Sequence, residues 1–196
     1  MTTPTDPIHL ETPRLTLREL RLDDWTGARD LDSDPEGVRY QSNDVLDDAG
    51  TKQYLEKSLG EAAQRPRAVF DLAVCLRGDD RYVGRVGLKI ERPEHREAAV
   101  WFQLRRDLWG RGLTSEAVRS ILDFGFDRLQ LHRVWGDCDP RNLGSAGVME
   151  KVGMRREAHL RQNWWLKGEW CDSFIYAVLE DEWRAARPLR SAPPRE

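Results

Sequence analysis

Two glycines on either side of an arginine, Gly110 and Gly112, stand where an apolar strand gives way to a helix. The apolar run ends at Leu104, and apolar residues at helical spacing begin at Leu113. Amide N–H groups at a helix start attract anions, and glycine lets a phosphate approach the backbone. The stretch Trp109–Thr114 therefore predicts either a phosphate-binding turn or a tight turn before a capped helix.

Other chemistries fit this sequence poorly. A dinucleotide-binding glycine pattern needs a third glycine where Ser115 stands. In that motif the turn follows the strand directly, whereas here the apolar run ends at Leu104 and the glycines begin only at Gly110. The four histidines have no ligand spacing, so no metal site is expected. No serine lies in a GxSxG elbow. Cys138 lies between Asp137 and Asp139, whose charges raise the pKa of a thiol and make it a poor nucleophile.

Length and composition favour one globular domain. The chain has 196 residues, of which 39% are hydrophobic and 33% charged. A net charge of -3 argues against a nucleic-acid partner. No apolar run approaches the ~18 residues of a membrane span, so no membrane partner is expected. Three cysteines without a CxxC pair favour a reducing compartment, here the cytoplasm.

Hydrophobic patterning predicts one α/β domain over residues 13–187, between an unstructured start at 1–12 and an unstructured tail at 188–196. Alternation and turn signals predict seven strands, at 14–20, 68–76, 82–90, 97–104, 133–138, 154–166 and 170–179. Helices are predicted up to residue 31, from 47 or 48 to 64, from near 113, at 143–152 and at 180–187. The helix between strands 97–104 and 133–138 makes those two strands parallel, whereas the short connections make hairpins.

A second stretch that could do chemistry follows the strand at 133–138. It places Asn142 and Ser145 three residues apart at the start of a short helix. On their own, these two residue types indicate a turn and a helix cap. A functional role for Asn142 and Ser145 is indicated only by their combination with the glycine turn.

Together the two stretches resemble the GNAT acetyltransferases of the ribosomal-protein N-terminal type, the RimJ/RimL-like proteins. The resemblance spans about residues 12 to 183 in the right order and spacing. It is carried by Trp109–Ala117 (WGRGLTSEA), by Arg133-Val134, Asn142-x-x-Ser145 and Glu150-Lys151-x-Gly153-Met154, and by Thr12–Arg18 (TPRLTLR).

The resemblance implies a mixed, mostly antiparallel seven-stranded sheet with helices on both faces, splayed between its fourth and fifth strands, 97–104 and 133–138. It implies acetyl-CoA as co-substrate, with the pantetheine arm in the splay against the backbone around Phe102 and Leu104. Arg106 and Arg111 either add charge or are simply solvated. The diphosphate would rest on the backbone N–H groups of Trp109, Gly110, Arg111, Gly112, Leu113 and Thr114.

The same resemblance gives Asn142 a hydrogen bond to the cofactor and makes Ser145 the proton donor to the leaving thiolate. Relatives often carry an acidic residue where Ala98 and Ala99 stand here, which leaves Glu97, just before them, as the acidic catalytic candidate. A site without an obvious base suits an α-amine, since its pKa of ~7.7–8.0 leaves roughly a tenth or more neutral at pH 7. Proton loss through ordered water is the other route.

The sequence thus predicts direct transfer of acetyl from acetyl-CoA to a primary amine, either a protein or peptide N-terminal α-amine or a small-molecule amine. The acceptor is expected to enter beside residues 32–44 and the hairpin 164–170. The tryptophans of that hairpin either wall the cleft or pack at the sheet edge. An alternative is a module of the same fold that binds acyl-CoA or a peptide without turnover. Association into a homodimer stays open.

Overall fold

The structure is a computed structural model, and it describes residues 6–186. The expectations for residues 1–5 and 187–196 lie outside the described residues. Eight strands form one sheet in the order β1-β2-β3-β4-β5-β6-β8-β7. The strands are β1 (His9–Glu11), β2 (Leu15–Glu19), β3 (Val69–Leu76), β4 (Tyr82–Arg92), β5 (Glu97–Leu104), β6 (Arg133–Cys138), β7 (Arg155–Leu166) and β8 (Glu169–Leu179).

Five α-helices pack on this sheet in the described chain, close to the predicted positions. The side chain of Asp47 accepts the amide of Gly50 at 2.8 Å and so fixes the start of the second helix. No helix within residues 6–186 is both long enough and apolar enough to span a bilayer. The helices are α1 (Trp25–Asp32), α2 (Asp48–Ala63), α3 (Leu113–Asp127), α4 (Leu143–Lys151) and α5 (Glu180–Ala186).

The eighth strand corrects the expectation of an unstructured start through residue 12. His9–Glu11 pairs antiparallel with residues 16–18 of β2. Ile8 is buried beside it, and its amide donates to a carboxylate oxygen of Glu19 at 3.1 Å. A three-residue strand is too short to show an alternation pattern, so it cannot be predicted from the sequence.

The two faces of the sheet are covered by different helices, as predicted. On β3, Leu72 and Val74 point into the larger core beneath α3 and α4. Their neighbours Ala73 and Cys75 point into a smaller core beneath α1 and α2. The period of two along the strand thus divides its side chains between two helical layers.

The sheet opens between β5 and β6. These strands run parallel and pair only at Glu97 with Arg133, Ala98 with Val134, and Ala99 with Trp135. Beyond that point no pairing joins them within residues 6–186, whereas all six residues of β6 pair with β8. The splay that was predicted between strands 97–104 and 133–138 is therefore confirmed. Its open end faces the starts of α3 and α4, because both follow the carboxyl ends of these strands.

Candidate active site

A cavity of about 410 Å³ lies at the open end of the gap between β5 and β6. One part of its wall comes from the end of β5 and the starts of α3 and α4. The other part comes from the segment between α1 and α2, which cover the opposite face. The cavity therefore reaches both faces of the sheet. Its lining residues are Glu36, Gly37, Arg39, Tyr40, Gln41, Phe102, Gln103, Leu104, Trp109, Gly110, Thr114, Arg141, Asn142, Leu143, Gly144, Ser145 and Val148.

The turn before α3 presents a row of unbonded amides. Gly110 and Gly112 both adopt left-handed backbone, with φ of 73° and 74°, a conformation that glycine adopts without strain. Within the described chain, the amides of residues 110–114 donate to no protein acceptor. Successive N–H groups of this kind form a concave anion site, and the helix dipole adds to it. The amide of Trp109 is used already, since it donates to the Arg106 carbonyl at 3.1 Å.

The N-terminal stretch holds this turn in place. Arg14 donates from Nη1 to the Arg111 carbonyl at 2.9 Å and from Nε to Glu116 at 2.7 Å. Glu116, in the first turn of α3, also accepts the Thr12 hydroxyl at 2.6 Å. Burial raises the pKa of Glu116, but the hydrogen bonds from Thr12 and Arg14 outweigh it and hold the pKa below its usual value. The opening TPRLTLR segment therefore supports the turn rather than lining the cavity.

The predicted cofactor-binding residues lie in three different places. Phe102, Leu104, Trp109, Gly110, Thr114 and Asn142 line the cavity. Arg111 and Gly112 instead line an adjoining hollow that also contains Arg119 and Lys151. Leu113 is 6% exposed and packs in the larger core. Of the two arginines considered for charge, Arg106 is paired with Asp34 at 2.9 Å, while Arg111 is exposed.

Asn142 and Ser145 meet at the start of α4. The Asn142 side-chain oxygen accepts the Ser145 amide at 3.0 Å, so the helix-cap interpretation is correct. The cap leaves the Asn142 Nδ2 donor and the Ser145 hydroxyl without a protein partner in the described residues, and both residues line the cavity. A structural and a chemical role are therefore compatible here.

The structure does not bring Glu97 to the cavity. Glu97 begins β5 at the paired end of the gap, roughly 16 Å along the strand from Phe102. Its carboxylate lies 3.3 Å from Arg133 Nε and 3.5 Å from Arg92 Nε. Its position and partners are those of a structural ion pair and argue against a catalytic role.

A buried polar network behind the cavity was missed at the sequence level. Arg85 donates to Asp32 at 2.6 Å and to the side-chain oxygen of Gln103 at 2.7 Å. Burial raises the pKa of Asp32, and the charge of Arg85 opposes that rise. The network fixes Gln103 in the cavity wall. Its sequence signal is an arginine inside the apolar run of β4.

The tryptophans of the β7–β8 hairpin do not line the cavity. Trp164, Trp165 and Trp170 are 51%, 58% and 58% exposed. Trp165 and Trp170 pack edge to face, with ring centroids 5.3 Å apart. The hairpin still touches the α1–α2 segment, because Lys167 Nζ donates to the Val38 carbonyl at 2.6 Å.

These features fit acetyl-CoA. Unbonded amides at a helix start suit its diphosphate, and unpaired strand edges beyond Ala99 suit an extended amide-bearing arm. In residues 6–186 no three His, Cys, Asp or Glu side chains are grouped so as to hold a metal ion.

Comparisons with known proteins agree with the site. Residues 14–155 match the family model of the acetyltransferase (GNAT) domain. The chain is 32% identical over 176 residues to the uncharacterized N-acetyltransferase YnaD of Bacillus subtilis, covering 90% of this chain and 99% of that protein.

Solved structures share the fold. A GNAT-family acetyltransferase from Bacillus anthracis superposes with a TM-score of 0.80 at 28% identity, covering 89% of this chain and 99% of that one. A spermidine N-acetyltransferase from Vibrio cholerae, solved with CoA and spermine, gives a TM-score of 0.76 at 20% identity, covering 88% and 99%. The chain belongs to the GNAT family and is an acetyl-CoA-dependent N-acetyltransferase that acts on an amine.

Proposed function

We propose that this enzyme acetylates α-amino groups that carry a neighbouring carbonyl or carboxylate oxygen, as in a peptide N-terminus, in the manner of the RimJ/RimL-like proteins. The observation that carries the proposal is the chemistry of the cavity wall on the α1–α2 side. Arg39 and Gln41 supply hydrogen-bond donors there, and Glu36 is the one acidic residue among those lining the cavity. Arg141 also lines the cavity, but its guanidinium is held by Asp139 at 2.6 Å and by Glu169 at 2.9 Å.

Binding of a polyamine would need different residues in the cavity lining. Its several ammonium groups carry only donors, so recognition favours several carboxylates. Here Glu36 lies 3.6 Å from Arg39, which compensates its charge. A peptide N-terminus instead offers an amine beside a carbonyl oxygen, and donors such as these match that oxygen.

The roles of the site residues follow from their free groups. The amides of residues 110–114 bind the diphosphate, and Phe102 and Leu104 flank the arm from the part of β5 that does not pair with β6. Asn142 Nδ2 donates to the cofactor at the start of α4. The Ser145 hydroxyl gives a proton to the departing sulfur, a modest task because a free thiol has a pKa of ~8.5. Acetyl-CoA supplies the activated acetyl thioester.

Two further parts of the proposal concern the setting of the enzyme. Cys75, Cys138 and Cys171 are all unpaired thiols, which supports a reducing compartment such as the cytoplasm.

β7 is a twelve-residue edge strand that is exposed along nearly its whole length, and this supports pairing with a second copy as a homodimer. Light scattering of the purified chain would measure its mass, and a monomer at high micromolar concentration would contradict the dimer.

Acceptor choice is tested with a matched panel. We would measure thiol release with a serine-first peptide, the same peptide with a blocked α-amine and an internal lysine, free serine, and spermidine. At pH 7.5 the neutral fraction of an α-amine exceeds that of lysine on the order of 100-fold. We expect turnover of the free-amine peptide to exceed that of the blocked peptide by at least tenfold, with the mass increase on the α-nitrogen. Spermidine as the preferred acceptor would refute the α-amine proposal.

A further inference from the structure

Asp137 is exposed although it lies on a strand in the middle of the sheet. β6 is flanked by β5 on one side and β8 on the other, and Asp137 is fully paired with Ile175 of β8. Pairing with β5 stops at Trp135, two residues earlier. The unpaired part of the gap lies beside Asp137, which is exposed although it does not itself line the cavity.

The side chain of Asp137 points to the acceptor face. Val134, three residues before Asp137, and Cys138, one residue after it, belong to the larger core beneath α3 and α4. A Cβ built on Gly136 would meet Val100 and Met149 of the same core. Because side chains alternate along a strand, Asp137 projects to the opposite face. That face is covered by α1, α2 and the segment between them, whose residues 36–41 line the cavity.

No cation neutralises this carboxylate in the described chain. Its one hydrogen bond comes from its own backbone amide. On its face the neighbouring strands present Ile175 and Ala177 from β8, and Trp101 from the open part of β5. The adjacent titratable group is Cys138, and burial raises the pKa of that thiol to about 12, so it stays neutral. Asp137 is thus an unpaired acid on the part of β6 that β5 does not pair with.

We propose that Asp137 accepts the proton that the amine loses during acetyl transfer. As the amine nitrogen bonds to the acetyl carbon, one N–H proton passes to the Asp137 carboxylate, directly or through one water. The electron pair of the broken carbon–sulfur bond leaves with sulfur, which is protonated by Ser145 or solvent. Asp137 then returns its proton to water. This role rests on acetyl transfer to an amine and does not depend on which amine is used.

Two properties suit Asp137 to this task better than the other carboxylates. Glu36, which lines the cavity, lies 3.6 Å from Arg39, and Asp32 is tied to Arg85. Glu97 lies at the closed end of the gap with two arginines. Surrounding protein desolvates Asp137 and raises its pKa above the usual value, although the residue is exposed. A base whose pKa moves toward the working pH is a stronger proton acceptor.

The first test compares Asp137→Asn with Asp181→Asn, the same change at an exposed position in α5. A general base contributes ~10²–10⁴-fold in rate. We expect Asp137→Asn to lower kcat by at least ~100-fold on whichever amine the wild type acetylates. Binding of CoA, measured by calorimetry, should stay within about twofold, because the residue acts on the amine. Wild-type kcat in Asp137→Asn would overturn the proposal.

A second variant covers loss of folding. Asp137→Glu keeps the carboxylate, and it should retain at least ~10-fold more activity than Asp137→Asn. Equal activity of the two variants, both folded by circular dichroism, would refute a role for the carboxylate.

The last readout needs no turnover. In protein labelled with ¹³C at aspartate carboxyls, the resonance missing from Asp137→Asn should titrate above the ordinary aspartate pKa. A titration at or below the ordinary value would contradict the proposal, even if the wild type acetylated no amine in the panel. The latter result would refute the α-amine proposal alone.

Discussion

The side-chain oxygen of Asn142 accepts the backbone amide of Ser145 at 3.0 Å. This bond fixes both residues at the first turn of α4, and it orients the Asn142 amide so that Nδ2 stays available. One contact thus positions the donor of Asn142 and the hydroxyl of Ser145 at the same cavity. The cap and the chemistry can be separated by the choice of substitution.

Asn142 is expected to act in two ways that two variants distinguish. Asn142→Ala removes the cap and should lower the free energy of unfolding by about 1 kcal/mol. Asn142→Asp keeps an accepting oxygen at the cap, so its stability should remain near that of the wild type. Both variants lose the Nδ2 donor, and both should bind CoA more weakly by calorimetry. Unchanged CoA affinity in both would contradict the cofactor contact.

Ser145 is expected to act in the chemical step. Ser145→Ala removes the hydroxyl but keeps the amide that Asn142 caps, so folding should be preserved. Because the leaving thiol needs only modest help, we expect kcat to fall about 10- to 100-fold. The Michaelis constant for acetyl-CoA should change little. Steady-state kinetics measures both, and a rise in that constant with unchanged kcat would indicate a binding role instead.

Gly110 tests whether the left-handed turn supports anion binding. An alanine there would meet no atom within 4 Å, but its φ of 73° is strained for an L-residue by roughly 1–2 kcal/mol. Gly60, in α2, also has open space, but its conformation is helical. Gly110→Ala should lose stability and bind CoA more weakly, whereas Gly60→Ala should gain up to about 1 kcal/mol. Calorimetry and thermal unfolding measure the pair, and equal CoA affinity in the two variants would exclude a role for this turn.

The sequence predicted the sheet and the position of the turn because each depends on local signals, whereas the splay was implied by the resemblance to the GNAT acetyltransferases. Helix starts, turn residues and the period of two along strands can each be recognised from a few consecutive residues. The crossover helix forced β5 and β6 to be parallel. The first strand escaped prediction because three residues carry no period.

The catalytic face was harder to predict, because it depends on register between strands far apart in the chain. The sequence alone indicates Asp137 only as a neighbour whose charge raises the pKa of Cys138. Its exposure follows from where β5 and β6 stop pairing, which no local pattern encodes. Glu97 is close along the chain to the position where relatives carry an acid, yet the strand register places it beside Arg133 at the closed end of the gap.

Glu116 links the N-terminal stretch to α3 and should make stability depend on pH. Its pKa is lower in the folded chain than its usual ~4.3, so the stabilisation is present above that value and is lost as the pH falls through the folded pKa. Glu116→Gln should therefore unfold at a lower temperature than the wild type at pH 7, and the difference should shrink below pH ~4. The exposed Glu56→Gln serves as the control and should leave the unfolding temperature unchanged at both pH values. A difference at Glu116 that persists undiminished in acid would show that shape or packing, rather than the carboxylate charge, ties Arg14 and Thr12 to the helix.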